Sequence, residues 1–175
     1  MRLRLEREQN SRDLALFDLA IDSKLRGCDV IAIRIGDVVS GGKVKARAMV
    51  VQKKTGRPVR FELTEPARNS LTHWLERRGG TLSDYAFPSR VDPEEHLSTR
   101  QYASLVDEWI SAIGLRPEDY GTHSLRRTKP SIITRRTGNL RAVQMLLGHT
   151  KIETTVRYLG VDREDALSLA EATEI

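Results

Sequence analysis

His123 and Arg126 are the first side chains in the sequence whose types and spacing suggest chemistry. They stand three residues apart in the segment His123-Ser124-Leu125-Arg126. Positions i and i+3 of a helix share a face, so an imidazole and a guanidinium would project together. The N-terminus of a helix itself favours an anion. The pair is therefore suited to a phosphate group, although the same spacing is also common on ordinary protein surfaces.

Three further groups of residues stand in order around this pair. Downstream come L-L-G-H-T at 146–150 and then Tyr158, nine positions after the histidine. Upstream come K-L-R-G-C-D at 24–29 and K-K-T-G at 53–56. Together with H-x-x-R, this order resembles the catalytic domain of the tyrosine recombinases, the phage integrase family. The resemblance covers about residues 10–165, nearly the whole sequence.

The resemblance implies a role for each matched side chain. Tyr158 would attack a DNA phosphate and form a 3′-phosphotyrosine, while Arg26 and Arg126 would clamp the non-bridging oxygens. Lys54 would protonate the leaving 5′-oxygen. His123 would assist proton transfer, and His149 would hydrogen-bond the phosphate. Lys53 competes with its neighbour for the role of the acid. Asp29 is expected to orient Arg26 or to be a plain surface acid.

Elementary chemistry agrees with such a set. A phosphodiester gains concentrated negative charge as a fifth oxygen arrives, and preorganised guanidiniums stabilise that charge. A tyrosine, with a pKa of about 10, is neutral at rest and needs a base or a cationic surround. An alkoxide leaving group needs an acid, which a lysine among other cations can supply. No metal or cofactor is expected, and the covalent link would make ATP unnecessary.

Composition points to a globular protein with a polyanionic partner. The sequence has 175 residues, enough for one domain, and a net charge of +5. Residues 162–175 carry −4, which leaves +9 on the first 161 residues. Between positions 121 and 158 there are eight Lys or Arg and a single acid, which suggests a polyanion partner, although on charge alone a solvated helix face explains it equally well. The resemblance to the tyrosine recombinases implies that the polyanion is double-stranded DNA. A lone cysteine, Cys28, excludes disulfides and cysteine zinc clusters.

Other signals exclude a membrane protein or a secreted one. No apolar run approaches the roughly 20 residues that span a bilayer, and the charged N-terminus is unlike a signal peptide. A cytoplasmic, nucleoid-associated location in a bacterium or phage system is expected. The whole sequence, 1–175, is expected to be one catalytic domain without the N-terminal clamp domain that recombinases of this family usually carry.

The elements that must position these residues are mostly helices. Apolar spacing and capping signals predict helices over 12–25, 64–78, 98–113, 122–137, 139–147, 150–158 and 162–171, with a helical turn at 29–33. Thr64 and Ser98 are the predicted N-caps of the second and third, and Thr150 with Glu153 forms a predicted capping box. Pro130 is expected to kink or shorten its helix.

Alternating side chains predict strands over 43–53 and 57–63, joined by a glycine-containing turn. Residues 81–97, with two prolines, are predicted to be a loop. The predicted fold is therefore α+β, mainly helical, with a small antiparallel sheet of about three strands.

Two other functions remain open on the sequence alone. One is a type IB topoisomerase-like enzyme that relaxes supercoils, and the other is a DNA-binding regulator with the same fold that does not cut. For a recombinase, strand exchange predicts a tetramer on DNA and a monomer or weak dimer without it. The acidic 162–171 helix is expected to dock on a basic surface, favouring a neighbouring subunit.

Overall fold

Helices dominate the computed structural model, which describes residues 1–160. Nine α-helices lie in that part of the chain: α1 (Arg2–Arg7), α2 (Ser11–Ser23), α3 (Gly27–Ile31), α4 (Ile35–Val38), α5 (Glu65–Arg78), α6 (Thr99–Ala112), α7 (Thr122–Thr137), α8 (Leu140–Leu147) and α9 (Ile152–Leu159). A 3₁₀ turn, Pro117–Asp119, precedes α7. Each longer helix falls where the apolar spacing predicts one, whereas α1 and α4 carry no such signal. The predicted helix over 162–171 lies outside the described residues.

The strands form two antiparallel pairs. β1 (Val39–Ser40) pairs with β2 (Lys43–Val44), and β3 (Arg47–Val51) pairs with β4 (Pro58–Glu62). The mainly helical α+β class is confirmed, but the expectation of one sheet of about three strands is wrong. The predicted strand 43–53 divides at Lys45, whose ammonium turns away to donate to the carbonyls of Gly36 and Asp37.

The inward face of the β3–β4 hairpin follows the predicted alternation. Ala48 on β3 and Val59 and Phe61 on β4 are buried, while their chain neighbours are exposed or half-buried. α2 lies at the centre of the core and packs against α5 and α7, with Leu16 and Leu19 fully buried. The hairpin and three helices therefore share one hydrophobic core. Within residues 1–160, no helix is both long and apolar enough to span a bilayer.

The capping predictions have mixed outcomes. Ser98 and Gln101 form the predicted capping box of α6. Thr64 stands at the N-cap position of α5, but its hydroxyl donates to Asp22 instead of capping. The predicted Thr150–Glu153 box is wrong, because Lys151 is extended and takes the N-cap position of α9. The carboxylate of Glu153 is then at the second helical position, whereas a capping box needs it at the third.

α7 continues through Pro130 as a single helix from Thr122 to Thr137, so the predicted shortening is wrong. The proline is buried, and α7 packs along α2. Tertiary packing of this kind supplies most of the stability of helices in proteins and outweighs one missing backbone hydrogen bond. The continuous helix holds Arg126 and Lys129 in a fixed relationship one turn apart.

Candidate active site

Arg26 reaches the site through a sharp turn after α2. Lys24 has a left-handed backbone with φ of 56°, and Leu25 is buried. Arg26 is then extended and stands at the N-cap position of α3. Its Nη1 donates to Oε1 of Gln52 at 2.8 Å. The reversal of the chain thus brings the guanidinium to the end of the β3–β4 hairpin.

Gln52 is a site residue that the sequence analysis missed. It is only 1% exposed, and its Oε1 also accepts a hydrogen bond from the Thr55 hydroxyl at 2.9 Å. Its Nε2 is buried without a partner among the described residues. The signal was present, because position 52 continues the inward alternation of Ala48 and Val50. A polar residue in that register indicates a buried hydrogen-bonding task.

Arg126 is the most buried cation among the predicted site residues. It is 4% exposed, and its Nη2 donates to the carbonyl of Leu147 at 3.1 Å. Its Nε is buried and has no acceptor within residues 1–160. Burial lowers the pKa of Arg126, and the nearby charge of Arg26 lowers it further against the opposing effect of Tyr158. A desolvated guanidinium with unused donors is preorganised for an anion.

Tyr158 lies in the last turn of α9 beside this guanidinium. The Cζ atoms of Arg126 and Arg127 are each 5.7 Å from the centroid of the phenol ring. The hydroxyl is buried and makes no hydrogen bond with the described residues. Burial raises the pKa of Tyr158, while the charges of Arg126, Arg127 and Arg26 oppose that rise. The phenol is therefore neutral at rest and close to cations that would stabilise its anion.

His149 follows the left-handed C-cap glycine of α8 and packs against the nucleophile candidate. Its ring meets that of Tyr158 edge-on, with centroids 5.5 Å apart and an interplanar angle of 81°. Its Nδ1 lies 3.0 Å from the hydroxyl of Thr155, which is fully buried. Burial lowers the pKa of His149, and the charges of Arg126 and Arg26 lower it further. Thr155 holds the imidazole, and the sequence analysis did not single it out.

The two candidate lysines are exposed in the turn between β3 and β4. The backbone N–H of Lys53 donates to Oδ1 of Asp29 at 2.8 Å, and Asp29 is buried. The expectation that Asp29 orients Arg26 or lies on the surface is therefore wrong. Gln52 takes the guanidinium instead, and the carboxylate anchors the start of the turn that carries Lys54.

His123 stands apart from the other candidates. It is exposed on the first turn of α7 and makes no hydrogen bond with any of them in the described structure. Arg126, one turn later, is directed into the protein. The structure thus brings together four of the six predicted site residues, namely Arg26, Arg126, His149 and Tyr158, and leaves Lys54 and His123 on the surface.

Arg26, His149 and Thr55 line a surface depression of about 380 Å³ that is open to solvent. Arg57 and Thr150 also line it, so its rim is cationic and polar. Among residues 1–160, no three His, Cys, Asp or Glu side chains are grouped so as to hold a metal ion. The arrangement places two guanidiniums, an imidazole and a neutral phenol near one another, and these are groups that can bind and attack a phosphate.

Comparison with known proteins supports this interpretation. The model of the phage integrase family matches residues 3–165. The probable integrase/recombinase YoeC of Bacillus subtilis is 28% identical over 156 residues, covering 89% of this chain and 81% of that protein. The tyrosine recombinase XerC of Erythrobacter litoralis is 29% identical over 158 residues, covering 90% of this chain but 49% of the relative.

Solved structures show the same fold. The crystal structure of XerA recombinase superposes with a TM-score of 0.78 at 20% identity, covering 98% of this chain and 61% of that one. XerH recombinase bound to its difH substrate gives a TM-score of 0.72 at 21% identity, covering 91% and 46%. The chain thus spans about half the length of several proteins it matches.

Proposed function

The chain belongs to the phage integrase family, and on that premise we propose that it is a site-specific recombinase or integrase that cuts and rejoins double-stranded DNA. One observation carries the proposal. The buried, unpartnered hydroxyl of Tyr158 lies beside Arg126, a desolvated guanidinium whose Nε is also buried without an acceptor in the described structure. A DNA phosphate would supply the acceptor that both groups lack.

In the proposed reaction, Arg26 and Arg126 bind the non-bridging oxygens of the scissile phosphate. The Tyr158 oxygen attacks phosphorus, the bond to the 5′-oxygen breaks, and a 3′-phosphotyrosine and a free 5′-hydroxyl result. Because both guanidiniums are held before DNA arrives, they stabilise the developing charge without reorganisation. The hydrogen bonds to Gln52 and to the Leu147 carbonyl support such preorganisation.

Two protons must move in this step. Tyr158 must lose its phenol proton, and we assign this proton transfer to His123. Because His123 is exposed and apart from the other site residues, it would have to move toward the site when DNA binds. Lys54 donates a proton to the leaving 5′-oxygen. His149, whose Nδ1 faces Thr155, would direct Nε2 to a phosphate oxygen.

Rejoining reverses these steps. The 5′-hydroxyl of the same strand or of another strand attacks the phosphotyrosine, and the Tyr158 phenol leaves. One phosphodiester is exchanged for another of similar energy, so the reaction needs no ATP. In this proposal the cationic side chains supply the charge stabilisation that a metal ion would otherwise give.

The surface around the depression is suited to a DNA backbone. Arg57 lines the depression, and the exposed residues Lys53, Lys54 and Lys151 stand within two positions in the chain of the lining residues Thr55 and Thr150. Such cations neutralise phosphates, so binding should weaken steeply with salt. These contacts position the duplex, whereas the target sequence must be read by other side chains in a groove. Acting on bacterial DNA would place the protein at the nucleoid.

We further propose that four protomers assemble on two duplexes, because strand exchange needs one active site for each of four strands. Without DNA we expect a monomer or weak dimer. Since the chain spans about half the length of several relatives, a partner or additional residues would supply the rest of a clamp around DNA.

Covalent capture tests the proposed function. A binding site is first selected from a random DNA pool and then prepared with a nick just downstream of the cleavage position. The protein should form a protease-sensitive adduct without magnesium or ATP. Tyr158→Phe should abolish the adduct and keep DNA binding, because only the nucleophilic oxygen is lost. Binding without any adduct would contradict the proposal and favour a non-cutting regulator.

A second assay separates a recombinase from a topoisomerase-like enzyme. Two selected sites on one plasmid should recombine, whereas relaxation of supercoils without exchange would favour the topoisomerase. The names of the relatives, integrase and recombinase, support the first outcome.

A further inference from the structure

Four charged side chains form a cluster below the site, which we call the junction cluster: Asp22, Lys24, Glu62 and Lys129. The ammonium of Lys129 donates to Oδ1 of Asp22 at 2.7 Å and lies 2.8 Å from Oε1 of Glu62. The ammonium of Lys24 donates to the same Glu62 oxygen at 2.8 Å and to the Asp22 carbonyl at 2.6 Å. The two cations thus share the Glu62 carboxylate, and Lys129 alone pairs with the Asp22 carboxylate.

The junction cluster is partly buried and contains two cations and two acids. The side chain of Lys24 is 0% exposed and that of Asp22 is 7% exposed, while Lys129 and Glu62 are partly exposed. Asp22 uses its second oxygen to accept the backbone N–H and the hydroxyl of Thr64, each at 2.7 Å. Buried charges persist only when they are paired and hydrogen-bonded, so the geometry of the cluster is tightly specified.

Three members of the cluster stand close in the chain or the sheet to proposed site residues, and the fourth, Asp22, lies near the end of α2. Lys24 precedes Arg26 by two residues, on the turn after α2. Lys129 follows Arg126 by one helical turn on α7. Glu62 lies on β4, which pairs with the strand leading to Gln52 and Lys54. The junction cluster therefore ties together the three elements that hold the clamp and the acid.

Two members of the junction cluster, Lys24 and Lys129, also stand at backbone positions that are unusual for a lysine. Lys24 adopts a left-handed backbone, which residues other than glycine rarely do. Lys129 directly precedes Pro130 within α7, and its side chain reaches Asp22 on α2. The buried ammonium of Lys24 is compensated by Glu62, and the partly exposed ammonium of Lys129 is compensated by Asp22 and Glu62.

We propose that Lys24 and Lys129 are positioning residues that set the spacing of Arg26 and Arg126 through Asp22 and Glu62. The proposal rests on the function proposed above. Small displacements of preorganised groups reduce rates strongly, and 1 Å can cost about 100-fold. Loss of the cluster should therefore slow phosphoryl transfer more than it weakens DNA binding.

Lys129→Met is the first test variant, because Lys129 is partly exposed and methionine preserves the length of the chain. Adduct formation on the nicked site should slow about tenfold or more, with DNA affinity little changed. Asp18→Asn is the matched control. It lies on the same helix, α2, and is buried and hydrogen-bonded to Ser70 and Arg2, but its partners lie on α1 and α5. It should lose stability and keep the rate of the unsubstituted protein.

Two further measurements separate positioning from simple destabilisation. In Lys129→Met with Asp22→Asn, charge balance returns, the Lys24–Glu62 pair stays, and the amide oxygen can still accept from Thr64. The free energy of unfolding should therefore recover while the slow rate remains. On DNA whose scissile phosphate is a neutral methylphosphonate, the clamp has less charge to stabilise, so the rate gap between the unsubstituted protein and Lys129→Met should close. An unchanged rate in Lys129→Met, or a gap that persists on the neutral substrate, would overturn the proposal.

A measurement without DNA distinguishes failure of this proposal from failure of the proposed function. The Nε–Hε resonance of Arg126 is followed by NMR during titration with inorganic sulfate. Lys129→Met should move this resonance and weaken sulfate binding, and Asp18→Asn should do neither. If these changes appear while the unsubstituted protein forms no DNA adduct, the proposed function is wrong but the positioning role stands. If Lys129→Met changes neither the Arg126 resonance nor the affinity for sulfate, the positioning role is wrong.

Discussion

Gln52 holds Arg26 by a single hydrogen bond, from Nη1 of the guanidinium to the side-chain oxygen at 2.8 Å. The amide is buried at the end of the β3–β4 hairpin, and the arginine follows α2, 26 positions earlier in the chain. A neutral acceptor fixes the direction of the guanidinium without neutralising it. Arg26 therefore stays available to an anion, which a carboxylate at position 52 would prevent.

Removing this acceptor should impair the clamp. Gln52→Leu keeps the approximate volume but releases Arg26, so the rate of adduct formation should fall about tenfold or more. Thr55→Val is the control, because it removes the other hydrogen bond to the same oxygen and leaves Arg26 in place. Equal rates in Gln52→Leu and the unsubstituted protein would show that the amide does not orient the arginine.

Arg126 should tolerate no replacement. Arg126→Ala should reduce cleavage by about 100-fold or more, as loss of a preorganised donor does. Arg126→Lys should remain poor, because an ammonium cannot reproduce the planar fork or the bond to the Leu147 carbonyl. Arg136→Ala, at an exposed position of α7, provides a comparison and should keep the rate. Cleavage at the original rate in Arg126→Ala would remove this residue from the clamp.

The two lysines of the turn can be separated by the chemistry of the leaving group. In a substrate with sulfur in place of the 5′-bridging oxygen, the leaving group departs as a thiolate and does not need to be protonated. Lys54→Ala should therefore lose activity on normal DNA and recover much of it on the sulfur substrate, measured as adduct yield with time. Lys53→Ala should show no such recovery. Rescue confined to Lys53→Ala would move the acid one residue upstream.

His149 should make stability depend on pH. Its pKa is lowered in the folded protein, first by burial and then by the arginine charges, so the unfolded chain takes up the proton at higher pH, near its ordinary value of about 6.5. As the pH falls through that value, the free energy of unfolding should decrease relative to that of His149→Gln. Urea unfolding of both proteins at about pH 7 and 5 measures the difference. A relative gain in stability at the lower pH would contradict the direction of the shift.

The acidic segment 162–175 should matter for assembly and not for the first cut. Its −4 charge complements the +9 of the preceding residues, which favours docking on a basic surface of its own subunit or of a neighbour, and we expect the neighbour. Its deletion should leave adduct formation on one nicked site and impair recombination between two sites. Light scattering without DNA should show a monomer or weak dimer. A tight tetramer without DNA would mean that assembly precedes binding.

Local signals in the sequence predicted much of the secondary structure. The capping box of Ser98 and Gln101 starts α6, and the alternation of Val59 and Phe61 marks β4. Such signals act between near neighbours, which is why they can be read without the fold. They failed at Thr150, where the backbone of Lys151 takes the cap, and at Pro130, where packing on α2 keeps the helix continuous.

The sequence by itself was enough to propose the reacting groups, because Arg26, Arg126, His149 and Tyr158 match the motifs of the family in residue type and order. Only the tertiary structure decided what holds them and which charges are compensated. Gln52 orients one arginine, Asp29 anchors the turn of the lysines, and Lys129 is paired with Asp22 from 107 positions away. Burial and ion pairing depend on contacts between distant segments, and no local pattern of residues encodes the distance between two side chains that meet only after folding.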